Sequence, residues 1–128
     1  PYDPDLGVTI PETIKKSKLV KEFNQLIIGT NKAYQHIAGS SSQAAQYVLT
    51  NAHRRRVLFK TNARELYHIS RLREDPHAQW DISLLSQEMT RLAKKIMPLT
   101  MLFVGGKDHY PQVFKKEFGF YPKALPKY

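Results

Sequence analysis

The sequence predicts an α+β fold that is mainly helical, with long helices packed against a small antiparallel sheet. Apolar residues recur at helical spacing through most of the chain, while one run, His53–Thr61, alternates with a period of two. Size is the third observation: 128 residues, 41% of them hydrophobic and 24% charged, make one globular domain (residues 1–128) and are too few for two ordinary ones.

The elements follow in chain order. Residues 1–11 hold Pro1, Pro4, Pro11 and Gly7, and read as an extended lead-in. From Pro11 a helix is expected, because Ile14, Leu19, Phe23, Leu26, Ile27, Tyr34 and Ile37 recur at roughly helical spacing with Lys and Glu opposite. Gly39-Ser40-Ser41-Ser42 ends it, and a short helix from Ser42 to about Val48 follows. In His53–Thr61, Val57, Phe59 and Thr61 alternate against Arg56, Leu58 and Lys60, the pattern of a strand with one wet face.

Asn62 is a good N-cap for a second helix, with Glu65 three residues on as its capping-box partner and Leu66, Ile69 and Leu72 as its apolar stripe. Asp75-Pro76 then reads as the start of a third, Asp capping and Pro at the first helical position. Its stripe is Ala78, Ile82, Leu85, Met89, Leu92 and Ile96, and Pro98 and Gly105-Gly106 close it. From Lys107 the chain reads as a loop-rich tail with Pro111, Pro122, Pro126 and a short helix near Gln112–Glu117.

Composition excludes several function classes. No cysteine means no disulfides, no thiolate chemistry and no zinc site of the Cys type, so a reducing, cytoplasmic setting is expected. No apolar run approaches the roughly 20 residues needed to cross a bilayer, and no signal-peptide pattern opens the chain. A start at Pro1 instead of Met reads as an excised piece of a longer protein. There is no P-loop, GxGxxG, His-Glu-x-x-His or Gly-x-Ser-x-Gly, and His36, His53, His68, His77 and His109 have no metal-ligand spacing with carboxylates. No catalytic residue and no metal site is assigned.

The formal net charge of +9 attracts anions, and it is concentrated: Arg54, Arg55, Arg56, Lys60, Arg64, Arg71 and Arg73 share one short window. Arg64, near the amino end of a helix, opposes the macrodipole at a cost of roughly 0.3–1 kcal/mol, which a bound anion would reverse. His68 and Arg71, four and seven residues on, continue the same face. Arg73, at the edge of the apolar stripe, calls for a partner: a phosphate or nucleotide base, or else Glu74, Asp81 or a neighbouring chain.

Asn62-Ala63-Arg64, Leu66, His68, Leu72-Arg73 and His77-Ala78-Gln79-Trp80-Asp81-Ile82 together resemble the Asn-Ala-Arg…Leu-Arg…Ala-Gln-Trp-Glu-Ile segment of flavin-dependent thymidylate synthases. Upstream, Ala45-Gln46-Tyr47-Val48-Leu49-Thr50 resembles the family's Ala-Arg-x-Val-Leu-Pro. The resemblance covers about forty residues, in order and in spacing, and its carboxy-terminal half only. It implies transfer of a methylene carbon from methylenetetrahydrofolate to dUMP, reduced with FAD and NADPH, in homotetramers whose active sites lie between subunits. By position it implies that Asn62, Arg64 and His68 contact FAD and that Arg73 contacts dUMP. It also implies a homo-oligomer, dimer or tetramer, or an upstream half as partner.

Two departures narrow that expectation. The family's Arg-His-Arg motif with its spaced serines is absent, His53-Arg54-Arg55-Arg56 lacking the serines, and the arginine of Ala-Arg is Gln46 here. The expected function is therefore a thymidylate-synthase-like half that is inactive alone. The alternatives are a structural or oligomerisation domain that has lost the site and, less favoured for want of any RNA- or DNA-binding motif, a basic nucleic-acid-binding module.

Overall fold

A computed structural model describes residues 3–124, so Pro1 and Pro126 of the sequence reading lie outside the described residues. The backbone divides into two compact units, Pro1–Leu58 and Phe59–Tyr128. Helices dominate both, as the sequence predicts. No helix among the described residues is long and apolar enough to cross a membrane.

The first unit contains α1 (Glu12–Lys16), α2 (Val20–Ala38) and α3 (Ser42–Ala45). The single long helix expected from Pro11 is thus broken, and the break has a local cause. Ile14 and Leu19 are five residues apart, one more than a helical stripe allows. There Lys18 takes a left-handed φ of 60°. Its N–H reaches Lys15 O at 3.1 Å, and the Leu19 N–H reaches Ile14 O at 3.2 Å. This is a helix-ending Schellman arrangement, with Lys where glycine is usual.

Beyond it, α2 packs on α3, burying Ile27 and Ala45. Ser41, one residue before the expected start, caps α3 by accepting the Ala44 N–H at 3.2 Å. A 3-10 turn, Gln46–Val48, continues it. Buried His53 accepts the Thr50 N–H on Nδ1 at 3.1 Å, which leaves the ring proton on Nε2 to bond Asn31 Oδ1 at 2.9 Å. The lead-in contains a 3-10 turn, Pro4–Leu6, in place of a continuous extended stretch, because the Asp3 carboxylate accepts the Asp5 N–H at 3.0 Å.

The predicted sheet is corrected. Among the described residues there is no strand, only an antiparallel bridge between Val8 and His53, flanked by Thr9 N–H to Ala52 O and Arg54 N–H to Gly7 O. From Arg55 to Lys60 the chain has the alternation of a strand but no ladder, and Leu58 is 99% exposed. Alternation records which face a strand would bury; a sheet also needs a second strand to pair with, and none is present there.

The second unit contains α4 (Ala63–Arg73), α5 (Trp80–Ile96) and α6 (Tyr110–Phe118), and its core is Leu66, Met101 and Val104, with Ala63, Tyr67, Met89 and Ala93 against it. The α4 start is as read: Asn62 Oδ1 accepts the Glu65 N–H at 2.9 Å. The start of α5 is later than Asp75-Pro76. Gln79 caps it, accepting the Ile82 N–H at 3.2 Å, because the Asp75 carboxylate is already committed to the His77 N–H (2.9 Å) and to Lys107 (2.6 Å).

The predicted apolar stripes are corrected too. In α4 Leu66 and Ser70 face inward while Leu72 is exposed. In α5 the buried residues are Ser86 and Thr90, whereas Leu85 (55%), Leu92 (48%) and Ile96 (82%) face outward. Hydroxyls, not leucines, line the contact between these helices, for a reason given below.

The tail is more ordered than a loop. α6 is closed by Gly119, whose φ of 81° suits the left-handed cap and whose N–H reaches Lys115 O at 2.8 Å. Phe103, Tyr110, Phe114 and Phe118 pack ring on ring, with centroids 4.7 Å apart for Phe114 and Phe118 and 6.0 Å apart for Phe103 and Phe114.

Candidate functional site

All four residues singled out by the sequence lie on α4 or its cap. Asn62 spends its side-chain oxygen on capping. Arg64, two residues on, stands exposed with no ion-pair partner among the described residues. His68, one turn further, is exposed and lines an open cleft of about 430 Å³ with Tyr67, Arg71, Phe103 and Tyr110, floored by Gly105, Gly106 and Lys107. Arg73 lines a second cleft of about 480 Å³, with Arg71, Asp75, His77 and Lys107 among its neighbours. The helix thus brings His68 and Arg71 into one cleft and Arg71 and Arg73 into the next, while Asn62 and Arg64 sit at its amino end outside both.

The expected need of Arg73 for a partner is corrected: it is exposed, so its charge is solvated, and it makes no ion pair with Glu74 or Asp81. Glu74 turns the other way. Its Oε1 accepts from Ser70 Oγ (2.8 Å), Ser86 Oγ (3.0 Å) and Thr90 Oγ1 (3.2 Å), and all three donors are buried. This carboxylate is why α5 faces α4 with hydroxyls: each buried O–H needs an acceptor, and one side chain serves three. Sequence reading missed the cluster, although it leaves a signal in two polar pairs four residues apart, Ser70 with Glu74 and Ser86 with Thr90.

In sequence Gly106 reads only as a helix breaker. Built onto its backbone, a Cβ would lie 2.6 Å from the Glu74 carbonyl oxygen, so the glycine is required by close approach of the 105–109 turn to the end of α4.

The same turn is tied to α4 by charge. Lys107 Nζ lies 2.6 Å from Asp75 Oδ2. That bond, with the His77 N–H, holds the Asp75 carboxyl below the usual carboxylate range, and Asp75 in turn pushes the Lys107 ammonium above the usual lysine range. The sign of the linkage follows. A lowered carboxyl pKa stabilises the fold above the unfolded value of roughly 4, and that contribution is lost as pH falls through the native value. Acid titration of the thermal midpoint is expected to show a loss below about pH 4 that shrinks in Asp75→Asn. An unchanged acid limb in that variant would separate the pair from stability.

Among the described residues no group of three His, Asp or Glu side chains converges as a metal site. What the geometry offers is cationic and aromatic surface along a helix, suited to holding an anion.

A family profile described as "Thymidylate synthase complementing protein" matches residues 2–99. The chain is 42% identical over 60 residues to a flavin-dependent thymidylate synthase of Geobacter sulfurreducens, covering 47% of this chain and 26% of that one. It is 32% identical over 92 residues to the enzyme of that name from Thermococcus onnurineus (70% and 38%) and 29% identical over 113 residues to that from Clostridium tetani (74% and 45%). The chain therefore spans less than half the length of each of these curated relatives. No solved structure matches it.

Proposed function

The chain belongs to the thymidylate synthase complementing protein family, and from that premise we propose that it is the nucleotide- and flavin-contacting portion of a flavin-dependent thymidylate synthase. In this reading Asn62, Arg64 and His68 contact FAD, and Arg73 contacts dUMP. Bound there, FAD would supply the reducing electrons, taken from NADPH, for the carbon that methylenetetrahydrofolate gives to dUMP. This chain's own contribution is to bind and orient. The observation that carries the reading is the exposed placement of Arg64 and His68 one turn apart on an Asn-capped helix, with Arg71 continuing the line and no acidic partner for the first two among the described residues. An arginine and an imidazole N–H donor facing solvent at a helix's amino half suit a phosphate group.

Activity is assigned to the chain only together with further polypeptide. The match covers less than half of each of these relatives, and Gln46 stands where the family places an arginine. The exposed Leu85, Leu92 and Ile96 face of α5 supports a covering partner, either a second copy in a dimer or tetramer or the family's upstream half. Thermal unfolding with FAD and with dUMP separately tests the binding reading. A ligand at about a hundred times its dissociation constant adds about 2.7 kcal/mol, visible as a clear rise in midpoint. Silence with both ligands removes the binding claim and leaves kinship intact. In that case the second reading, a structural or oligomerisation domain, gains from Gln46 and from the same exposed face, and a stable dimer or tetramer by light scattering would support it.

A further inference from the structure

Beyond residue 99, where the family match stops, α6 ends in an aromatic turn. Gly119 makes the turn with its left-handed φ of 81°, and a phenylalanine stands on either side of it. Phe118, Phe120 and Tyr121 are 49%, 56% and 56% exposed, so three large rings within four residues meet solvent. Apolar surface gathered in one place marks a contact. Lysines flank the turn on both sides, Lys115 and Lys116 before it and Lys123 after it. From residue 110 to residue 124 these three meet a single acid, Glu117. None of the three is in an ion pair among the described residues.

Two features decide what such a surface fits. The first is how the rings sit against one another. Phe114 and Phe118 lie 4.7 Å apart, Phe118 stacks on Phe103 at 5.9 Å, and Phe120 meets Phe114 edge-on at 5.5 Å. The Lys115 ammonium lies 4.5 Å from the Tyr121 ring centre. A single-stranded nucleic acid stacks its bases on open ring faces, and each of these rings already has a ring or a cation against it. The second feature is the lack of a recess. A peptide is held in a groove, and the clefts of about 430, 420 and 480 Å³ on this unit take none of the three exposed rings into their walls. A lipid bilayer needs neither open faces nor a groove. It takes an apolar turn into the headgroup boundary, where aromatic side chains are favoured, and its negative surface potential holds flanking lysines.

We propose that the turn at residues 118–121, with Lys115, Lys116 and Lys123 around it, is a docking surface for an anionic lipid bilayer. Phe118, Phe120 and Tyr121 enter the headgroup boundary, and the three lysines face lipid phosphates. The chain lies on the bilayer and does not span it, in keeping with the absence of a long apolar helix among the described residues. This surface is independent of the nucleotide reading, because it lies outside both the matched residues and the α4 clefts.

The test is flotation of the 128-residue chain with vesicles of phosphatidylcholine and phosphatidylglycerol in equal parts, and separately of phosphatidylcholine alone. A paramagnetic lipid in the same vesicles reports which amide signals of labelled protein broaden. Expected are binding to the anionic vesicles that falls with added salt, little binding to the neutral ones, and broadening centred on residues 115–123. Phe120→Ser should weaken binding roughly tenfold, and Lys116→Gln with Lys123→Gln roughly twenty- to thirtyfold. The broadening pattern of the unmodified chain decides the matter should a variant fail to fold. No binding to the anionic vesicles at low salt overturns the proposal. So does equal binding to neutral vesicles, which removes the part given to the lysines. Broadening centred on the exposed leucines of α5 moves the contact elsewhere and overturns it as well. A single-stranded oligonucleotide that displaces the vesicles assigns the surface to nucleic acid, with the same result.

Discussion

Glu74→Ala is expected to destabilise the second unit by roughly 2–5 kcal/mol. Ser70 and Ser86 lose the acceptor seen for their hydroxyls, and a buried donor left unsatisfied costs about 1–3 kcal/mol. Thr90 suffers less, because its hydroxyl also reaches Gln87 O at 3.0 Å. Urea unfolding followed by helical circular dichroism measures the loss. Two further variants make the cause specific. Glu74→Gln keeps an acceptor oxygen at the same reach and should cost much less. Adding Ser70→Ala and Ser86→Ala to Glu74→Ala should recover part of the loss, since replacing both partners by apolar groups removes the unmet donors. A Glu74→Ala protein within about 0.5 kcal/mol of the parent would show that the hydroxyls find other acceptors at no cost.

Gly106→Ala is the second large effect, about 1–3 kcal/mol, and it arises from space instead of polarity. Its new methyl would sit 2.6 Å from the Glu74 carbonyl oxygen and 3.1 Å from the carbonyl carbon, which are backbone atoms that cannot rotate aside. Gly105→Ala is the matched control. Its Cβ would meet the His109 Cβ at 3.3 Å, a contact that a shift of a few tenths of an ångström relieves. The same denaturation assay should therefore rank Gly106→Ala well below Gly105→Ala in stability, and the opposite ranking would refute the close approach.

The helices could be read because their determinants are local. Asn62 caps three residues ahead, Gly39 marks a stop, and a stripe needs only its own spacing, so α2, α4 and α6 lie near where the residues put them. Errors came where the deciding partner is remote in sequence. Asp75 looked like a cap until Lys107, 32 residues on, took its carboxylate. Arg55–Lys60 alternates like a strand and has nothing to pair with. α5 has an apolar stripe that periodicity assigns to the core, yet of it only Met89 packs against the core, and the most buried side chains are Ser86 and Thr90, because Glu74 beyond α4 supplies their acceptor. Of the candidate site, the α4 half was legible as a row of cations. Its other wall was not, since Phe103, Lys107 and Tyr110 acquire meaning only when the turn after α5 folds back beside α4.

A helix that keeps its hydroxyls inside and its leucines outside has a consequence for how this chain behaves in quantity. If, as proposed, a second copy covers Leu85, Leu92 and Ile96, the buried area exists only in the assembly, so its free energy enters through mass action. Unfolding temperature then becomes a function of protein concentration. Dilution alone would act on the chain as a denaturant does, and two preparations of identical sequence would differ in stability simply because one is more concentrated.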